Sequence, residues 1–540
     1  MKIFYLILII RLSTVGFDMI YSQQPTQEWV ARYPDINNGS AAGHSIAVDN
    51  LGNVYVTGVR EESGSLKFCT IKYNAAGVQE WLRLYDNIWG GGNQGKCVII
   101  DKSKNIYAAG YTYGGSEYFN YCIIKYTKDG IQQWIRIYNG PGNGIDQITH
   151  ISVDSMDNII VTGISSRIGE FNYDYATIKY DSAGNELWVR RYGVGSSSSF
   201  TSGIAVDIDQ NSYVTGSIEG NCVTVKYSPS GQILWTNTYD SGNVELSHSL
   251  TIDNIGNVII TGENRIAGGQ DFNDYLTIKY SSLGVLQWVR KYDGNAHLSD
   301  VANSVTSDHN GNVYVGGTSY VTNSSSEFCT IKYSHTGNQQ WIRNYGSPSN
   351  LYSNVSMSLN RDGSLYIGGW QATGLGADYV LIKYSINGMQ FWVTTYNGSA
   401  NRSDYLYALT TDNTGNVYVT GQSERKDLHV DCCTIKYSQN IGIQIVSNDI
   451  PRELKLGQCY PNPFNPVCKI KFSIPSGKKR HINITLYNSL GQRITCLVNE
   501  VLKAGTYETE WNGKDYSSGI YYYVMKAESF LTTKKMILLK

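Results

Sequence analysis

A unit of about fifty residues recurs eight times between positions 29 and 437, which limits the chain to folds that stack or circle copies of one element. Four short motifs mark each copy. The first is Trp-x-x-x-Tyr, at Trp29/Tyr33, Trp81/Tyr85, Trp134/Tyr138, Trp188/Tyr192, Trp235/Tyr239, Trp288/Tyr292, Trp341/Tyr345 and Trp392/Tyr396. The next two fuse into Asp-x-x-Gly-Asn-Val-Tyr-Val-Thr-Gly, clearest at 49–58 and 412–421; its final glycine stands in every copy. The fourth is Ile-Lys-Tyr, replaced by Val225-Lys226-Tyr227 in one copy. Alternating apolar and β-branched residues between turn signals predict four antiparallel strands per copy: A up to the Asp, B after the Gly-Asn turn, C through Ile-Lys-Tyr and D through Trp-x-x-x-Tyr. Four strands repeated at this period predict a propeller blade.

The two ends of the array complement each other. Trp29 has no Ile-Lys-Tyr before it, and Ile435-Lys436-Tyr437 has no Trp after it. An orphan D strand at the start supplies what the last copy lacks, and pairing the two closes a ring and removes two open edges. The expected fold is all-β: an eight-bladed β-propeller with its last blade closed by the N-terminal strand, followed by a C-terminal Ig-like β-sandwich. The composition agrees, with 55 Gly and 43 Tyr against 10 Pro. The expected domains are a signal peptide at 1–22, the propeller at 23–445, a linker at 446–455 and the sandwich at 456–540. The signal rests on Lys2 and the apolar run Ile3–Ile10, with cleavage near Ser22-Gln23. No other segment has the ~20 apolar residues of a membrane-spanning helix.

Residues 29–437 resemble the bacterial β-propeller repeats called SBBP, through Asp-x-x-Gly-Asn-Val-Tyr-Val-Thr-Gly and the Gly-x-x-x-Trp turn into strand D. That family's name implies seven blades, whereas this sequence holds eight sets. After the repeats, Tyr460-Pro461-Asn462-Pro463-Phe464-Asn465-Pro466, Leu490-Gly491-Gln492, Ala504-Gly505-Thr506-Tyr507, Ser518-Gly519-Ile520-Tyr521-Tyr522 and Lys534–Lys540 follow in order. They resemble the type A C-terminal sorting domain of the type IX secretion system, found in Bacteroidetes and related bacteria. The resemblance implies a partner, the type IX machinery, and a secreted or outer-membrane-surface location. Cys459 and Cys468 depart from the family's usual Asn and Thr and raise the question of a local disulfide.

Chemical motifs are missing. No His-Glu-x-x-His, Gly-x-Ser-x-Gly, phosphate-cradling Gly-Lys-Ser/Thr or paired Cys-x-x-Cys set occurs, so no catalytic residue, cofactor or metal is expected. A net charge of −1 with no basic stripe gives no footprint for nucleic acid. The repeated Asp fits a turn cap better than a calcium loop, which needs alternating oxygen ligands. The repeated Lys and the Arg between Trp and Tyr suit scaffolding. His44 and His248 share a register in strand A, too few for a metal ring. Cys69, Cys122, Cys329 and Cys433 read as small buried hydrophobes; the pair Cys432-Cys433 stays open.

Function is expected where the repeat breaks. Strand alternation places the B–C and D–A loops on one rim, with varied B–C segments at 60–67, 111–119, 263–271 and 422–430. Trp89, in a D–A loop, and Trp370, at the start of a B–C loop, lie outside the repeat register; with Tyr113 they form the ligand-binding candidates. Such rings either stack on sugars or fold back over the blade ends. The expected function is a secreted or cell-surface binding or adhesion protein, not an enzyme, whose ligand is a glycan or protein. The alternatives are a polysaccharide-degrading hydrolase or lyase with its site in the propeller channel, and a structural surface-layer component. For the enzyme, Asp146, Asp300 and Asp404 lie in D–A loops without an evident acid–base partner.

Overall fold

The computed structural model describes residues 24–540 except 34–38, 116–117, 170–171, 195–197, 266–271, 348–349, 351, 375, 439–443, 448–450, 514–515 and 529. The expected signal peptide, 1–22, lies outside the described residues. Within them all regular structure is strand, and no helix is long and apolar enough to cross a membrane.

Between Thr26 and Ser438 the strands form four-stranded antiparallel sheets, each in the order A-B-C-D. The first sheet comprises Ala41–Val48, Val54–Glu62, Ser65–Tyr73 and Gln79–Tyr85. The second to seventh run over 94–138, 146–192, 199–239, 244–292, 300–345 and 352–396. In the eighth, Asp404–Thr411, Val417–Glu424 and Val430–Ser438 are completed by the chain's first described strand, Thr26–Tyr33, with Val30 opposite Ile435. Eight apolar cores follow, each shared by two successive sheets. The one joining Tyr33, Tyr418 and Cys432 to Ile46, Val56 and Ile71 brings the eighth sheet against the first, so the succession is cyclic.

The repeated residues make the contacts between sheets. Trp81 Nε1 donates to Lys128 O (3.1 Å) in the C–D turn of the next sheet, and Trp134 does the same to Ser182 O (3.2 Å). Trp29 reaches Ala75 O (3.1 Å), which extends the pattern across the closure. Beside five of the eight Trp an arginine adds a second link: Arg136 Nε donates to Gly184 O (2.6 Å) with its guanidinium 5.3 Å from the Trp134 ring centre. The motif Asp is a turn cap. Asp49 Oδ1 accepts the N–H groups of Leu51 (2.8 Å) and Asn53 (3.0 Å). The Lys of Ile-Lys-Tyr packs against these caps, as Lys279 does at 2.9 Å from Asp253.

The closing glycine of the long motif has a definite purpose. Strand A carries one extra residue opposite it, a β-bulge at His44 in the first sheet, where Gly43 pairs with Gly58 and Ser45 with Thr57. A Cβ at Gly58 would lie 1.9 Å from the carbonyl oxygen of Ala42, and at Gly421 it would lie 2.0 Å from that of Tyr405. Only glycine lets strand B pass the bulge.

Strand B therefore continues beyond this glycine, and the expected B–C segments need correction. Residues 60–67 are mostly strand, with a two-residue turn at Ser63-Gly64, both at positive φ. Strand also takes in Tyr111–Tyr113, Glu263–Arg265 and Gln422–Glu424. Glycine reads as a breaker in the sequence, whereas here it is the residue that permits continued pairing.

Gln444–Ser447 pairs with Gly505–Asn512, so the expected linker at 446–455 begins inside a strand of the C-terminal unit. That unit has two four-stranded sheets around one core that includes Phe464, Ile470, Ile484, Trp511, Tyr523 and Met536. All ten cysteines are free. Cys432 and Cys433 point into different cores, as adjacent strand residues must, and Cys459 and Cys468 are buried in the C-terminal core.

Candidate functional site

The strands A face one another around the ring, and each bulge adds one residue to this inner surface. The bulged residues include His44, Lys96, Thr149, Ser202, His248, Asn303 and Tyr407. Neighbours meet: the His44 and Tyr407 rings are 5.9 Å apart, and Thr149 Oγ1 lies 2.7 Å from Thr201 Oγ1. His44 and His248 belong to the first and fifth sheets, four steps apart in the ring, so they share no ligand. His44 Nδ1 lies 2.9 Å from Gly95 O, and burial lowers the pKa of both histidines. Burial also lowers that of Lys96, whose ammonium stands 5.7 Å from the Tyr111 ring. The named bulge residues include no carboxylate, but that of Glu263, on strand B of the fifth sheet, comes within 4.0 Å of His248 Nε2.

Asp146, Asp300 and Asp404 are not loop residues. Each opens a strand A and is buried. Burial, with the charges of Asp293 and Asp274 behind it, holds the Asp300 carboxyl up to about 6. Asp274, Asp293 and Asp300 each bring a carboxylate oxygen within 4.8 Å of the others. Sequence spacing gives no sign of this group, because Asp274 belongs to the fifth sheet and Asp300 to the sixth.

The three aromatic candidates separate. Trp370 is inside strand Leu365–Thr373, not at the head of a loop; it is half-buried and meets Tyr405 edge-on at 5.1 Å. Trp89 and Tyr113 lie together where the loop 86–93 crosses from the first sheet to the second, whereas Trp370 belongs to the seventh. Trp89 keeps 64% of its surface in water.

The loop beneath Trp89 is held at several points. Asn87 Oδ1 accepts the Trp89 N–H (3.0 Å), while Asn87 Nδ2 donates to Thr112 Oγ1 (2.8 Å) and to the Tyr113 carbonyl. Gly91 N–H reaches Ser65 Oγ (2.9 Å), and Asn93 Nδ2 reaches Leu66 O (3.1 Å) and Asp86 Oδ1 (2.8 Å). Asn93 Oδ1 accepts from Tyr113 N (3.2 Å). The indole lies over Gly115, where a Cβ would come 3.4 Å from the ring. Tyr113 packs on Phe119 (6.1 Å), and Phe119 on Tyr111 (5.1 Å). Ile88 and Tyr118, on the same two loops, are also exposed. The sequence reading missed these two; Ile88, beside Trp89 in a Gly/Asn-rich loop, was the available signal.

Residues 458–539 match the family of secretion system C-terminal sorting domains. Residues 29–59, 187–221 and 394–428 match the beta-propeller repeat family SBBP. The chain is 27% identical over 225 residues to an uncharacterised WD repeat-containing protein of Acanthamoeba polyphaga mimivirus, a match spanning 42% of this chain and 12% of the viral protein. Among solved structures it is similar to Sqt1 from Chaetomium thermophilum, with 11% identity, TM-score 0.48, and 76% of this chain and 99% of that chain covered. It is also similar to a fungal alcohol oxidase in complex with copper, with 12% identity, TM-score 0.40, and 82% and 96% covered.

Proposed function

We propose that this chain, which carries SBBP beta-propeller repeats and a type IX secretion sorting domain, is a non-enzymatic binding or adhesion protein of the cell surface or extracellular space, with glycan as its ligand. In this reading the cyclic sheets are an eight-bladed propeller closed by the N-terminal strand, and the C-terminal unit is an Ig-like sandwich. Residues 1–22 are a cleaved leader that delivers the chain to the periplasm, and the sorting domain then takes it through the type IX machinery.

The observation that carries the ligand assignment is the exposed Trp89 on a loop tied to two sheets. A large apolar ring held outward by many polar contacts is pre-ordered, so a ligand that stacks on it need not pay to order it. Indole faces suit the apolar C–H face of a pyranose, and the nearby Asn and Gly amides suit its hydroxyls.

A glycan array on the purified protein, followed by titration calorimetry on the best ligand, tests this. Trp89→Ala is expected to weaken binding roughly 5- to 150-fold, corresponding to the ~1–3 kcal/mol typical of an aromatic stacking contact, and Trp370→Ala to leave it unchanged. Release of new reducing ends or unsaturated products from the bound glycan would overturn the non-enzymatic reading.

A further inference from the structure

Three loops between sheets share one shape. Residues 139–145, 293–299 and 397–403 each lead from strand D of one sheet to strand A of the next. In each, the buried Asp heading strand A accepts the N–H of a glycine six residues earlier: Asp146 from Gly140 (2.7 Å), Asp300 from Gly294 (2.6 Å) and Asp404 from Gly398 (2.6 Å). A residue at positive φ, Asn143, His297 or Asn401, returns its own N–H to that glycine's carbonyl at 2.9–3.0 Å. The molecule thus contains its own controls: one backbone, three side-chain sets.

The sets differ in charge. In the third sheet Asp146 stands opposite Ser165, and Arg191 donates to Ser165 O (3.0 Å) and to Asp174 Oδ2 (3.1 Å). In the eighth, Asp404 stands opposite Ser423, and Arg32 donates to Ser423 Oγ (2.6 Å) and pairs with Asp431 (3.1 Å). In the sixth, Asp300 stands opposite Ser319, but the register position of these arginines holds Asn344, which donates to Glu327. The guanidinium that backs the buried carboxylate in the other two copies is gone.

The sixth sheet instead receives more negative charge. Asp274 and Asp293 stand where the loop before Asp146 has Asn120 and Asn139, and the loop before Asp404 has Asp378 and Asn397. Asp300 Oδ2 is held by Gly294; Oδ1 is buried, bordered by Ser319, and has no hydrogen-bond partner. The equivalent oxygens of Asp146 and Asp404 are also unpartnered, but each has its arginine behind the serine. Two positive groups face the cluster from the fifth sheet and its loop. His297 Nδ1 bonds Asp293 Oδ2 (2.6 Å) at the surface, and Lys291 is committed to Asn264 Oδ1 (2.9 Å).

We propose that Asp274, Asp293 and Asp300 bind a calcium ion that joins strand C of the fifth sheet to the head of strand A in the sixth. Three carboxylate oxygens within 4.8 Å are a hard, oxygen-only donor set with room for water, which is calcium's preference. The ion supplies the positive charge that Arg191 and Arg32 supply elsewhere. This site is separate from the Trp89 platform, and its failure leaves that reading untouched.

The test uses the full chain stripped with EDTA and dialysed, titrated with CaCl2 by calorimetry and thermal unfolding, with terbium luminescence as a second reading of occupancy. Calcium at millimolar concentration is expected to bind at one site and raise the melting temperature by about 1–3 °C. Asp293→Asn, at an exposed position, should fold and lose at least about tenfold in calcium affinity, with Asp300→Asn as the more severe variant. Asp378→Asn, in the seventh sheet, should leave the titration unchanged. Absence of binding at millimolar calcium, binding insensitive to Asp293→Asn, or a preference for zinc that depends on His297 would each overturn the assignment.

Discussion

Gly130 shows how one missing carbon holds two sheets together. Its φ of 78° is unfavourable for an L side chain, and a Cβ would come 2.7 Å from the Trp81 ring. Gly64 has the same φ but open space around it. Gly64→Ala is therefore expected to cost only the backbone term, about 1–2 kcal/mol. Gly130→Ala should cost visibly more, because Trp81 must leave Lys128 O as well. Thermal unfolding of the two variants side by side separates these contributions, and equal losses would contradict the role given to the turn. His150 sets a second expectation. Its Nδ1 is shut away from water without a partner, and burial pushes its pKa down to about 4. The unfolded chain takes up this proton near 6.5, so the contribution to stability is present above about 6.5 and is lost as pH falls toward 4. His150→Gln should flatten the decline in melting temperature across that window; an unchanged slope would locate the acid sensitivity elsewhere.

At the scale of the element, the strand Thr26–Tyr33 matters most, because it is first in sequence yet pairs with Val430–Ser438. Deleting 27–33 bares the edge of that last strand C and removes Trp29 from the turn of the first sheet. The expected result is self-association on size-exclusion chromatography with light scattering, and a lower melting temperature. A monomer with an unchanged transition would exclude this closure. The sequence showed this strand because Gln27-Glu28-Trp29 repeats Gln79-Glu80-Trp81. It misplaced the ends of strand B, because a glycine in a one-dimensional pattern does not reveal whether the neighbouring strand bulges toward it.

For the whole molecule, the C-terminal unit has its own core, built from its two sheets, and carries the match to the sorting family. Removing 444–540 is expected to leave the repeat region in the periplasm while whole-length protein reaches the cell exterior, as fractionation with immunoblotting would show. Equal export of both would mean that the address lies elsewhere.

Repeated positions see the same surroundings eight times, so their residue types record those surroundings. The β class, the complementary ends and the Trp, Lys and Asp roles were therefore legible by comparing copies along the chain. The sorting tail was legible from the order of its motifs. Sites arise where one copy departs from the rest and meets its neighbour in space, which no period records. Only tertiary structure brought Asp274 to Asp300 across two sheets, turned Trp370 inward against Tyr405 and left Trp89 outward over Gly115. Alternation along a strand assigns a side chain to a face, but the charge or ring standing opposite depends on how the next sheet is docked.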